Sequence, residues 1–61
     1  MSVREEELIA RIRRGDDLAD VRKWFLDRLA AETPMWSDLG KFEQAFVIRW
    51  RDHEKGTGKL N

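Results

Sequence analysis

Sixty-one residues give at most one domain, and a chain this short buries only about 60% of the surface its unfolded form exposes. With no cysteine and a single histidine, neither a disulfide nor a zinc site can supplement so small a core. The 12 basic and 12 acidic side chains cancel, at 39% charged against a usual ~25%, which argues against a general nucleic-acid binder with its basic excess.

The cancellation is also local, with seven basic and seven acidic residues in 1–31 and five of each in 32–61. No apolar run approaches the ~20 residues that span a bilayer, and no basic start precedes an apolar block as in a signal peptide. The starting Met and the lack of cysteine suggest a small complete cytoplasmic protein. Chains below roughly 70–80 residues need unusually good packing or a partner to stay folded. The size alone therefore raises the expectation of association with a second copy or another protein.

Residues 2–14 read as a first helix. Ser2 serves as N-cap, with Glu5 completing an S-x-x-E capping box. Glu5, Glu6 and Glu7 lie in the first turns and Arg11, Arg13 and Arg14 in the last, both complementing the helix dipole. Glu7 and Arg11 form a favourable i,i+4 pair, and Gly15 stops the helix. Leu8, Ile9 and Ile12 make a narrow apolar stripe.

Asp16 or Asp17 caps a second helix over 17–31. Leu18, Val21, Phe25 and Leu29 recur at helical spacing on one face, widened by Leu26, while Trp24 lies round the side near Arg28. The short Gly-Asp-Asp link makes the first two helices an antiparallel hairpin. Residues 32–37 break the pattern. Either Thr33 caps with Pro34 at the first helical position, or Ser37 caps directly and Gly40 is tolerated early in the helix at a cost of ~1 kcal/mol.

The third helix is expected over 38–55. Leu39, Phe42, Phe46 and Trp50 form its buried face, Val47 and Trp36 its edge, and Ile48 points away. Gly56 ends it, leaving a polar tail at 56–61. The fold class is all-α, a small three-helix bundle in one domain over 1–61, built as a helical hairpin plus a third amphipathic helix. The direction of the third helix stays open.

No catalytic pattern emerges. His53 has no second ligand at metal-binding spacing, and a histidine near a helix C-terminus is explained by the dipole. Gly56, Thr57, Gly58 and Lys59 resemble part of a phosphate loop, but no helix follows them to receive a phosphate. The basic cluster at Arg11, Arg13 and Arg14 is followed at once by Asp16 and Asp17. As a helix-turn-helix reader, the second helix would aim Asp16, Asp17 and Asp20 at phosphates. In the third, Asp38 and Glu43 oppose Lys41, after a loop longer than the motif's turn.

The informative residues are apolar ones off the buried stripes. Trp24, Trp36 and Ile48 lie near arginines, and tryptophan and arginine are enriched at interface hot spots. Trp24 can instead fill the groove between the first and third helices, or stack on Arg28, and Trp36 can cover the core. The expected function is a non-enzymatic protein–protein interaction module with no cofactor or metal, a regulator, inhibitor or accessory subunit. Its contact residues would be Trp24, Arg28, Trp36, Ile48, Arg49 and Arg51. The alternatives are a structural homodimer and, further off, a helix-turn-helix-like DNA-binding regulator.

Overall fold

The computed structural model describes the backbone of residues 2–59 and the side chains of residues 2–52. It contains three helices, α1 (Val3–Arg13), α2 (Leu18–Glu32) and α3 (Lys41–Lys59), with a 3-10 turn at Trp36–Asp38 before the last. This is the all-α three-helix bundle that the periodicity implies.

Local chemistry sets the ends of α1 and α2. Ser2 Oγ accepts the Glu5 N–H at 3.1 Å and so caps α1. At the other end Gly15 takes a positive φ of 84°, a conformation glycine adopts without a Cβ penalty. Its N–H donates to Ile12 and that of Asp16 to Arg11, the two crossed bonds of a Schellman stop. Asp17, not Asp16, caps α2, its Oδ1 accepting the Ala19 N–H at 2.8 Å. Asp16 pairs with Arg14 through two bonds of 2.8 Å.

Side-chain pairs fix the helix directions. Arg4 reaches Glu32 and Arg11 lies over Trp24, so the start of α1 meets the end of α2 and the two run antiparallel. Phe25 meets Phe46 edge-on at 5.6 Å, and Arg22 lies over the Trp50 ring. α3 therefore also runs antiparallel to α2, in the same sense as α1. Leu8, Val21 and Phe25 are buried at the centre, with Ile12, Trp24, Leu29, Phe46, Val47 and Trp50 packed around them.

Three sequence expectations are corrected. The third helix starts at Lys41 rather than 38, because Ser37 and Asp38 are used in the 3-10 turn, where Asp38 Oδ2 accepts the Met35 N–H at 3.0 Å. Thr33 does not cap a new helix. It ends α2 in the left-handed region at φ 42°, donating its N–H to Leu29. Gly56 does not stop α3, which continues to Lys59. A glycine ends a helix when it takes the left-handed conformation, and Gly15 is the only described glycine that does. Leu60 and Asn61, the end of the expected tail, lie outside the described residues, as do the side chains of His53 and residues 54–59.

The interior stripe of α3 is also reassigned. Phe42 is 41% exposed, whereas Glu43 is completely buried. Arg4 and the Gly40 N–H hold Glu43 inward, so the inward positions become Glu43, Phe46, Val47 and Trp50. A carboxylate heads the stripe. Leu18, expected on the buried face of α2, is 61% exposed as the first residue after its cap.

Candidate interaction surface

The bundle closes through charge at one end. Glu43, the third residue of α3, turns back so that its Oε1 accepts the Gly40 N–H at 2.9 Å. Gly40 has no side chain with which to complete the capping box. The missing part comes from α1, where Glu5 Oε2 accepts the Phe42 N–H at 3.0 Å. A Cβ built on Gly40 would lie 2.2 Å from the Glu5 carboxylate oxygens, so the α1 side chain fills the space a capping side chain would use. The S-x-x-E box at Ser2 is therefore only half formed, because its glutamate caps a different helix.

Arg4 completes this clasp. Its Nε donates to Glu43 Oε2 and its Nη1 to Glu32 Oε1 at 2.6 Å, and Arg28 holds the other Glu32 oxygen at 2.9 Å. The first turn of α1 thus joins the end of α2 to the start of α3. The hydrogen bonds to Glu43 raise the pKa of the Arg4 guanidinium above its ordinary value, more than burial lowers it, so the group stays cationic. Buried Glu5 stands in the first turn of α1 and accepts the Phe42 N–H in the first turn of α3, both places favourable to a negative charge. Among the described residues no buried polar side-chain atom lacks a hydrogen-bond partner, and no group of three or more His, Cys, Asp or Glu is arranged to hold a metal. The charge cluster is buried at Arg4, Glu5 and Glu43 and reaches solvent at Glu32 and Arg28, and its ion pairs join the three helices.

The exposed apolar side chains are elsewhere. Val3, Leu18, Leu26, Met35, Trp36, Phe42 and Ile48 are each more than 40% exposed. The accessible surface is 4800 Å², against about 4200 Å² for a folded monomer of this mass. The radius of gyration is 12.2 Å, against about 10.5 Å for a compact chain of this length.

Two grooves flank α3. The larger, about 670 Å³, is lined by α3 residues including Phe42, Phe46 and Arg49, by Leu18 and Arg22 of α2, and by Ile12 of α1. The smaller, about 260 Å³, lies between Leu29, Leu39 and Val47 and is bordered by Pro34, Trp36 and Arg51. The outer surface of α3, with half-exposed Ile48, runs between them.

The six sequence-derived contact candidates separate on this frame. Trp36 and Arg51 come together at the smaller groove, and the Trp36 carbonyl accepts Gln44 Nε2 at 3.0 Å, which ties the 3-10 turn to α3. Trp36 is 49% exposed, so it borders the core more than it covers it. Ile48 points away from the core as its spacing implies, and Arg49 belongs to the larger groove. Trp24 and Arg28 are engaged within the chain. Trp24 packs on the core under the Arg11 guanidinium, 4.5 Å from the ring centroid, and Arg28 pairs with Glu32 rather than stacking on Trp24. Sequence reasoning missed Phe42, Leu18 and Arg22 as surface residues. Leu18 and Phe42 fall on the apolar stripes by spacing, and nothing in the sequence pairs Arg22 with them across two helices.

No protein-family model matches the chain, no curated protein is significantly similar to it, and no solved structure resembles it at a significant level. No helix among the described residues is long and apolar enough to cross a membrane.

Proposed function

We propose that this chain is a small non-enzymatic protein–protein interaction module, a regulator, inhibitor or accessory subunit that presents the outer side of α3. The supporting observation is the half exposure of Ile48 and Trp36, on the flank of a helix whose opposite side already forms the core. Burying the exposed half of each side chain in a partner is worth about 1 kcal/mol each before the costs of association. Arg51, beside Trp36, and Arg49, next to Ile48, supply polar contacts at the rim. Trp24 and Arg28, engaged with Arg11 and Glu32, stay outside this contact set. We assign the module to the cytoplasm, a compartment compatible with a chain lacking cysteine.

The test is affinity capture from the source cell's lysate with the chain and its Ile48→Asp variant as paired baits. The expected result is a protein retained by the first and lost with the second, with unchanged circular dichroism because Ile48 contributes nothing to the core. Identical capture by both folded baits would remove this face from the proposal. The same surface pairing with a second copy is the competing arrangement, and a monomeric mass by light scattering at micromolar concentration removes it.

A further inference from the structure

The larger groove has a chemistry of its own. On α3, Phe42, Ala45, Phe46 and Arg49 line it, a second stripe at i, i+3, i+4 and i+7 running about 10 Å along the helix. Ala45, in the middle, leaves a gap where another backbone can approach. Opposite lie Leu18 and Arg22, four residues apart on α2, with Ile12 of α1 at the floor. α3 thus lines the trough with the aromatics Phe42, Phe46 and Trp50, and α2 with Leu18 and Arg22, the geometry of a bundle with one helix position vacant.

The charge at this trough is one-sided. Its described lining includes two arginines and no carboxylate. Arg49 makes no ion pair among the described residues, whereas Arg4, Arg11, Arg14 and Arg28 each do. Arg22 lies over the Trp50 ring with its centroid at 5.9 Å, and Arg49 precedes Trp50 in the chain, so the two cations flank the same level of the groove.

We infer that this trough docks an amphipathic helix of a different protein, whose apolar face is bordered by aspartate or glutamate positioned against Arg22 and Arg49. A second copy of this chain is the wrong occupant. A two-fold contact places the same patch against itself, so it would bring four arginines together with no described carboxylate between them. The inference rests on the interaction-module reading and shares Arg49 with it, but its site excludes Ile48, so Ile48→Asp tests that reading and the peptide shifts at Leu18 and Phe42 test this one.

The experiment uses isotope-labelled full chain and two helix-stabilised synthetic peptides with the same leucine face. One carries glutamate beside that face and the other carries lysine. The glutamate peptide is expected to shift the backbone resonances of Leu18, Phe42, Ala45 and Arg49, and to bind at least about tenfold more tightly than the lysine peptide. Arg49→Glu, at an exposed position, should keep the wild-type circular dichroism and abolish that preference, because Arg22 and the new carboxylate cancel. Equal binding of the two peptides by the native chain, shifts lying outside the trough, or no shift with either peptide each overturns the assignment. So does a concentration-dependent dimer whose shifts map to the trough.

Discussion

The shared cap at Gly40 makes a prediction whose sign depends on another residue. Removing the Glu5 carboxylate with Glu5→Ala leaves the Phe42 N–H without its acceptor. A hydrogen bond to a charged group contributes about 1.5–3 kcal/mol and a helix N-cap about 1 kcal/mol, so a loss near 1.5 kcal/mol is expected. For a domain of this size that lowers Tm by about 6–12 °C. Gly40→Ser in the native chain places a Cβ 2.2 Å from the Glu5 oxygens. It displaces that carboxylate from the Phe42 N–H and so should destabilise by up to about 1.5 kcal/mol, the worth of the bond Glu5 gives up. In the Glu5→Ala background nothing is displaced and the introduced serine hydroxyl supplies a local cap, so the same substitution should stabilise by a few tenths of a kcal/mol, about 0.3. Urea denaturation of the four proteins closes the double-mutant cycle. A Gly40→Ser effect of one sign and similar size in both backgrounds would refute the claim that Glu5 occupies the cap of α3.

Arg4→Met should cost about 3–5 kcal/mol by leaving Glu43 buried without its cation. Total stability for this length is only about 3–9 kcal/mol, so circular dichroism should show a largely unfolded chain at 37 °C. Thr33→Gly should raise stability by about 0.5–1 kcal/mol. It relieves about 1–2 kcal/mol of left-handed strain at a β-branched residue, partly offset by the greater unfolded-state entropy of glycine. A higher urea midpoint with unchanged m-value is the readout. The Asp16 carboxyl is held below the ordinary aspartate range by its hydrogen bonds to Arg14. Its stabilising contribution is therefore fully present above the unfolded-state pKa and is lost as pH falls through the lower folded value. A carboxyl titration followed by NMR should give a depressed midpoint, returning toward normal in Arg14→Gln.

The legible part of this fold is the part set by neighbours in sequence. The Gly15 stop, the Glu7–Arg11 pair and the Val21, Phe25, Leu29 stripe are local signals, and the structure realises each of them. The cap on α2 narrows to two aspartates, of which Asp17 is the one used. The start of α3 is illegible because its cap is not local. Gly40 looks like a weakness in a helix, and Glu5 looks like half of a box at Ser2. Only three-dimensional proximity reveals that each completes the other across 35 positions. The contact candidates also turn on contacts between distant residues. The apolar spacing reads Phe42 as inside, whereas Glu43, bonded to Arg4 of the first helix, takes the inward place and Phe42 stays out. Trp24 packs on the core beside Arg11 of the neighbouring helix rather than Arg28 of its own.

The same substitution of a carboxylate for an aromatic links stability to the surface. Placing Glu43 at the head of the interior stripe requires Arg4 to neutralise it and Glu5 to finish the cap, so three of the seven buried side chains among the described residues are charged. A buried ion pair contributes little net stability over apolar packing of the same volume. What it fixes is register, because slipping α3 by one residue would bring Phe42 or Gln44 to Arg4 in place of its carboxylate. With register fixed by charge, the apolar residues of α3 are not all required inside. Phe42 and Ile48 remain on the surface, on opposite flanks of one helix. The charge cluster therefore sets the register of α3 at one end, and both of its flanks keep exposed apolar side chains.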